Sequence, residues 1–215
     1  VLINQKIHFF KKNSINVDGD KSLSIRFILL SSLSSGRCVA TNLLKSDDVI
    51  SAIDIMKKLG IKIKMNQKTC EVNGNGLFGL KFKKNLILNS RNSGTTARLI
   101  PAMLTNSNHW VKITGDNSLR KRDMGRVIKP LKLFGIKFKN NNANLPLLVK
   151  GPKLLNPIKY TENLGSAQCK SAMMIAALKA NGKTKLKCLP SRSHTELMFK
   201  NVLKIPVKLY KKKKI

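Results

Sequence analysis

Hydrophobic and polar positions along this chain fall into a pattern that occurs three times. Asp47-Asp48-Val49-Ile50 leads into Met56-Lys57-Lys58-Leu59-Gly60-Ile61-Lys62-Ile63-Lys64. Arg122-Asp123-Met124-Gly125-Arg126 leads into Leu131-Lys132-Leu133-Phe134-Gly135-Ile136-Lys137-Phe138-Lys139. Ser193-His194-Thr195-Glu196 leads into Val202-Leu203-Lys204-Ile205-Pro206-Val207-Lys208-Leu209. Each stretch reads as a polar cap, an amphipathic helix, a tight break and a strand of alternating polarity. The breaks at Gly60, Gly135 and Pro206 recur at a spacing of roughly 70 residues, which suits three copies of a supersecondary unit rather than a solenoid of short repeats.

Each unit also predicts an earlier helix with an unusual head. Gly19-Asp20-Lys21-Ser22 opens a helix over Ser22 to Ser34, apolar at Ile25, Leu29 and Leu33 with Phe27 and Leu30 beside them, so it is buried on more than one side. Gly36 is expected to end it. Asn92-Ser93-Gly94-Thr95-Thr96 opens a second helix over Ala97 to Leu104, and Gly165-Ser166-Ala167-Gln168 a third over Ala172 to Leu178. Strands are expected at Ile7 to Phe10, Ile15 to Val17, Cys38 to Leu44, Ile61 to Lys64, Thr69 to Val72 and Leu86 to Leu88, with a loop at Asn73-Gly74-Asn75-Gly76. Asp47 or Asp48 is the expected cap of the helix from Val49 to Leu59. The order β-α-β-α-β-β recurs with no low-complexity linker, so the fold class is α/β and the repeats pack as one body.

Composition sharpens the functional side. The chain carries 42 basic and 10 acidic residues, a net charge of +32. Such a charge fits nucleic acid, or lysines that coat solvated faces; aromatic residues at 5% and lysines spread along the whole chain favour the second. Small anionic substrates also suit this field. Cys38, Cys70, Cys169 and Cys188 lack metal-ligand spacing and read as reduced thiols of a cytosolic protein. His8, His109 and His194 are too dispersed for a metal site. There is no membrane-length apolar run and no signal peptide. The chain opens on Val1 and closes on Tyr210-Lys211-Lys212-Lys213-Lys214-Ile215, which reads as a fragment of a longer protein.

The helix heads carry the chemistry. A helix N-terminus presents free N–H groups and a partial positive charge, and hydroxyls and cations beside it complete an anion site. Lys21, Ser22 and Arg26 lie on one helix entrance, with Arg26 one turn on from Ser22. Gly94 permits close approach to a ligand and Thr95 adds a hydroxyl; Arg98 follows, as ligand or as ion-pair partner. Arg122 and Arg126 have the reach for bidentate contacts, although helix-surface arginine explains either one taken alone. Ser166, Gln168 and Lys170 furnish the third head. Ser193 and Glu196 have capping-box spacing, which makes His194 structural and Arg192 the better ligand candidate.

Taken in order, Gly19-Asp20-Lys21-Ser22, Asn92-Ser93-Gly94-Thr95, Gly115-Asp116-x-Ser118-Leu119-x-x-Arg122-x-Met124, Leu145-Pro146, Ser166-Ala167-Gln168-x-Lys170-Ser171 and Arg192-x-His194-Thr195-Glu196 resemble the enolpyruvyl transferase superfamily, and within it the EPSP synthases. The resemblance implies an inside-out α/β fold of two domains, each made of three βαβαββ units, of which this chain is about the N-terminal half. Residues 1–17 would begin in the largely missing second domain. Residues 18–215 would form a three-repeat substrate-binding domain, with repeats near 18–88, 89–160 and a truncated 161–215. It implies transfer of the enolpyruvyl group of phosphoenolpyruvate to the 5-hydroxyl of shikimate 3-phosphate, with phosphate released. Lys21 would be catalytic and touch both substrates. Ser22, Arg26, Ser166, Ala167, Gln168 and Arg192 would bind shikimate 3-phosphate; Asn92, Gly94, Thr95, Arg122 and Gln168 would bind phosphoenolpyruvate. No metal or organic cofactor, no membrane and no nucleic acid is implied, and the complete enzyme is expected to be a cytoplasmic monomer.

Departures from the family pattern are Asp18 for proline, Arg91 for glycine, Asp123 for proline and Ser193 for aspartate, all in loops. The acidic residues that the family uses for proton transfer have no obvious counterpart here. The alternatives are a UDP-N-acetylglucosamine enolpyruvyl transferase, whose reactive cysteine loop is not apparent, and a basic nucleic-acid-binding or RNA 3′-phosphate cyclase-like domain.

Overall fold

The computed structural model of the chain describes residues 17–67, 69–107, 109–139, 142–205 and 207–208. The strand expected at Ile7 to Phe10, most of that at Ile15 to Val17, His8, the break at Pro206 with Leu209 beyond it, and the lysine tail lie outside those residues.

The first third of the chain forms α1 (Lys21–Ser32), β1 (Ser35–Thr41), α2 (Asp47–Lys58), β2 (Lys62–Met65) and β3 (Thr69–Asn75). The middle third runs β4 (Ile87–Asn89), α3 (Gly94–Leu99), β5 (Val111–Thr114), α4 (Asn117–Arg120), α5 (Gly125–Leu133), β6 (Lys137–Lys139) and β7 (Leu147–Lys150). There the β-α-β-α-β-β order is complete, with α4 and α5 together in the place of its second helix. The last third gives β8 (Lys159–Glu162), α6 (Ala167–Ala177), β9 (Lys185–Cys188) and α7 (His194–Leu197), which continues as a π turn over Met198–Val202.

Three sheets flank the helices. β1 and β2 both pair antiparallel with β3, and Val72 sits opposite Cys38 on one side and Ile63 on the other. The second sheet has the order β4-β5-β7-β6, parallel between β4 and β5 and antiparallel elsewhere. β8 and β9 pair in parallel. A parallel pair needs a crossover, and α3 and α6 supply it for β4-β5 and β8-β9.

Residue types explain which helices lie inside. α1 is buried on more than one face, and a helix of that kind is stable only when enclosed. Ile25, Ile28, Leu29 and Leu30 are buried along with Ser24, Ser31 and Ser32. The hydroxyls of Ser24 and Ser32 find acceptors within the helix, at the carbonyls of Asp20 and Ile28. α2 is amphipathic instead, with Val49, Ala52, Ile53 and Met56 inward and Lys57 and Lys58 exposed. α1 packs on α2 and α3, and α6 packs on α3 and α5. One hydrophobic core joins all three thirds, from Ile25 and Met56 through Leu88, Ile113 and Phe134 to Met173 and Phe199. Each such side chain contributes about 1.5–3 kcal/mol by leaving water.

Several local expectations change. α1 stops at Ser32 with Leu33 as its cap, and Gly36 lies inside β1, paired with Gly74. The Asn73–Gly76 loop is mostly strand, since β3 runs to Asn75. Glycine at 74 permits this: a Cβ there would stand 2.2 Å from the Ser31 carbonyl oxygen, so β3 can cross the last turn of α1 only without a side chain. Ser46, not Asp47 or Asp48, is the cap residue of α2, and the two acids occupy its first turn, where they suit the helix dipole. The helix expected to Leu104 gives way to a 3-10 turn over Ile100–Met103, because Pro101 cannot donate the next α-helical bond. Gly60 and Gly135, at φ of +87° and +95°, end α2 and the stretch after α5 as expected.

Lys179, just beyond α6, is 2% exposed, and its ammonium donates to the Met103 carbonyl at 2.6 Å. Burial lowers its pKa from 10.5 to about 7. The fold therefore releases this proton earlier than the unfolded chain does. Between pH 7 and about 10 the unfolded chain holds the extra proton, so stability rises with pH across that window. Raising the pH from 6.5 to 9.5 should stabilise the wild type more than Lys179→Met, by on the order of 3 kcal/mol in urea unfolding. Equal pH dependence in the two proteins would show that Lys179 is not held neutral.

Candidate functional site

Three helix heads are built in the same way and point at one place. Asp20 caps α1, accepting the Leu23 amide at 2.7 Å, so Lys21 and Ser22 are in the first turn and Ser22 is not the cap. Ser93 caps α3, accepting the Thr96 amide at 3.3 Å. Ser166 caps α6, accepting the Cys169 amide at 3.3 Å. The loop before α6 is pinned by the Glu162 carboxylate, which accepts the amides of Leu164 at 2.9 Å and Ser166 at 3.2 Å.

The heads open on a cleft of about 450 Å³. It brings together Lys21, Ser22, Arg26, Asn92, Gly94, Thr95, Arg122, Ser166, Ala167, Gln168 and Arg192, the residues singled out in the sequence. Asp48, Arg98 and His194 line it as well. Arg126 and Lys170 do not. Arg126 is exposed away from the lining, with its carbonyl accepting the Cys169 thiol. Lys170 is buried in an ion pair with Glu196. The Ser193–Glu196 capping box therefore does not form: Ser193 makes no side-chain cap bond, and Glu196 turns inward to neutralise Lys170.

Among the described residues five cations, Lys21, Arg26, Arg98, Arg122 and Arg192, share the cleft with one carboxylate, Asp48. Asp48 lies 3.6 Å from the Lys21 ammonium. Arg26 is 3% exposed and gives all three nitrogens to the protein: Nε to Thr195 Oγ1 at 2.9 Å, Nη1 to the Ser22 carbonyl and Nη2 to Ser171 Oγ, both at 3.0 Å. Burial lowers its pKa, and Glu196 and Asp20 work against that shift. Arg98 donates to Gln168 Oε1 at 2.8 Å and to the Asp123 carbonyl at 3.0 Å. Its pKa is lowered first by burial and then by Arg126 and Arg122. Gln168 completes the bridge between α6 and α3 by donating to Thr95 Oγ1 at 2.9 Å.

Gly94 lets these groups close over the head of α3. A Cβ there would stand 3.1 Å from Arg98 Nη1 and 3.2 Å from Arg122 Nη1. Arg91, where the family often has glycine, takes a φ of +50°, a conformation that suits glycine. Its guanidinium reaches Asp54 at 2.8 Å and Asp47 at 3.4 Å, which offsets part of that strain. Cys169, at the head of α6, is pushed up to about 12 chiefly by burial and is no nucleophile near neutral pH.

Arg98 was open in sequence between ligand and ion-pair roles, and the signal that places it was available: Gly94 to Arg98 repeats the four-residue step from Ser22 to Arg26. The local pattern around Asp48 marks a helix cap, and nothing in it shows that Asp48 faces Lys21 across the cleft.

Three α/β units with their helix heads gathered on a basic cleft define an enolpyruvyl-transferase-like domain. The family model of EPSP synthase (3-phosphoshikimate 1-carboxyvinyltransferase) matches residues 11–214. A 3-phosphoshikimate 1-carboxyvinyltransferase of Thermoanaerobacter sp. (strain X514) is 43% identical over 192 residues, 88% of this chain and 45% of the relative. That of Ruthia magnifica subsp. Calyptogena magnifica is 42% identical over 187 residues, 86% of this chain and 43% of the relative. The solved EPSP synthase from Acinetobacter baumannii superposes with a TM-score of 0.80 at 34% identity, covering 86% of this chain and 43% of that one. The chain belongs to the EPSP synthase family. It spans under half the length of the relatives it matches. Among the described residues no helix is long and apolar enough to cross a membrane.

The buried pair of Lys170 and Glu196, 9% and 8% exposed, braces α7 against α6 beneath the cleft. Glu196→Ala would strand the Lys170 ammonium and should cost roughly 3–5 kcal/mol. Asp54→Ala removes only a half-exposed partner of Arg91 and should cost under about 1 kcal/mol. Urea unfolding of both variants compares them directly, and similar losses would contradict the assignment of Glu196 as the brace.

Proposed function

We propose that this chain carries the shikimate-side half of an enolpyruvyl transfer site. In that reaction the 5-hydroxyl oxygen of shikimate 3-phosphate adds to C2 of phosphoenolpyruvate while C3 gains a proton. Phosphate then leaves C2 and C3 gives up a proton, which forms the enol ether. The observation that supports this most is the meeting of three helix heads and five cations in one cleft. Two substrates bearing phosphates and carboxylates need such a site, because free N–H groups and guanidinium forks match their oxygens.

In this reading Lys21 touches both substrates and takes part in proton transfer. Its ammonium is the one lysine nitrogen in the cleft lining among the described residues, half-exposed and 3.6 Å from Asp48. Ser22, backed by Arg26, holds the carboxylate side of shikimate 3-phosphate. Ser166, Ala167 and Arg192 take its phosphate. Gly94, Thr95 and Arg122 take phosphoenolpyruvate, with Asn92 shaping the loop and Gln168 lying between the two substrates. The reading includes residues 18–215 as the three-repeat substrate-binding domain and residues 1–17 as the start of a second domain. It makes the complete enzyme a cytoplasmic monomer, free of metal and organic cofactor and without nucleic acid as a partner.

Calorimetric titration of the chain with shikimate 3-phosphate tests this reading. Binding is expected, and Lys21→Ala should weaken it about tenfold or more through loss of a charge-assisted contact. Binding that ignores Lys21, or that RNA competes away with a steep salt dependence, would overturn it. The chain alone should release no phosphate from the substrate mixture, since Asp48 is the one carboxylate in the cleft among the described residues and already faces Lys21. Sustained phosphate release by the chain would refute that expectation.

A further inference from the structure

Asp116 borders the cleft without lining it. One of its oxygens caps α4, accepting the Leu119 amide at 2.7 Å. The other accepts Nδ2 of Asn92 at 2.6 Å. Asn92 in turn offers Oδ1 to Nη2 of Arg122 at 2.8 Å. A carboxylate only accepts and a guanidinium only donates, so the amide between them has a single orientation that satisfies both. Capping a helix needs one carboxylate oxygen. The second is spent on a cleft residue, and the chain of bonds ends on a cleft cation.

We propose that Asp116 is the positioning residue for Arg122, acting through Asn92 to fix the plane of the guanidinium that faces the enolpyruvyl donor. The donor's identity rests on the function proposed above; the relay itself rests on the three contacts. The carboxylate stays charged as the relay requires, because the Leu119 amide, Asn92 and Arg122 all hold its pKa below the usual carboxylate value. Arg122 is exposed, and an exposed arginine without such a hold samples many rotamers. A fixed guanidinium has lost that freedom before any anion arrives, which is where preorganised binding gains.

The relay and simple electrostatics predict opposite signs. Removing a negative charge from the edge of a basic cleft should strengthen anion binding if charge alone matters. Asp116→Asn should weaken it. Asparagine caps a helix as well as aspartate, so α4 keeps its cap. Its amide nitrogen then meets Nδ2 of Asn92, a donor against a donor, and Asn92 can no longer present oxygen to Arg122.

The test uses the whole chain. Guanidinium resonances in ¹⁵N NMR, with Arg122 assigned through Arg122→Lys, should show restricted rotation in the wild type and averaging in Asp116→Asn. Phosphoenolpyruvate, titrated with shikimate 3-phosphate present, should bind the variant about three- to tenfold more weakly. An unchanged Arg122 resonance overturns the relay, and so does equal or tighter phosphoenolpyruvate binding by the variant. If the wild type binds no phosphoenolpyruvate, the enolpyruvyl reading falls and the Arg122 resonance alone decides the relay. Should Asp116→Asn prove unstable, Asn92→Ala leaves the α4 cap untouched and carries the same readouts.

Discussion

The structure depends on holding several like charges close together in one partly buried cleft. Guanidiniums at this range repel, and burial makes the repulsion worse. The fold answers with acceptors drawn from other repeats. Arg26 of the first repeat bonds Thr195 and Ser171 of the third. Arg98 of the second bonds Gln168 of the third. Most of these acceptors are neutral, so they orient the cations without cancelling them. The cleft keeps its positive field, and Arg26 and Arg98, which help to make the field, also fasten one repeat to another.

That double duty links the core to the site. α1 and α6 are buried on more than one side, and they are enclosed because α2, α3 and α5 pack against them. Enclosure fixes their axes, and the axes aim the heads at Lys21 and Ala167. A shift of α6 would move Gln168 away from Thr95, Lys170 away from Glu196 and Lys179 away from the Met103 carbonyl together. Three polar ties, two on α6 and one just beyond its end, each to a different element, make the position of α6 over-determined. An anion site needs this, because hydrogen-bond energy falls steeply once donor and acceptor lose their alignment.

Periodicity made the repeats legible, since Gly60 and Gly135 each end an amphipathic stretch with a left-handed residue that few side chains tolerate. The helix heads were legible for a related reason: a serine or aspartate before an apolar run has one common use. What stayed hidden was set by contacts distant in sequence. Gly36 looked like a helix stop and is a strand residue, because Gly74, far along the chain, pairs with it. Glu196 has capping-box spacing, yet the buried Lys170 ammonium outweighs a single backbone amide as its partner. Asp48 and Arg98 enter the cleft through tertiary placement, although the four-residue step from Gly94 hinted at Arg98.

Charge by itself cannot make this cleft selective. With 42 basic residues against 10 acidic ones, an anion is drawn to most of the surface. A groove of about 540 Å³ lined by Lys57, Lys58, Lys81, Lys83 and Lys84 is larger than the cleft and at least as cationic. Those lysines are exposed on long stems and present point charges, of which Lys58 is turned to the Ile87 carbonyl. In the cleft the cations are chiefly arginines, and the planar forks of Arg26, Arg98 and Arg122 are held by Thr195, Gln168 and Asn92. Three capped helix heads add amides that cannot turn away. The groove and the cleft attract the same ions, but only the cleft has donors whose directions are set before the ion arrives. Selectivity in so basic a protein must come from those directions, and therefore from the neutral side chains that hold the arginines as much as from the arginines themselves.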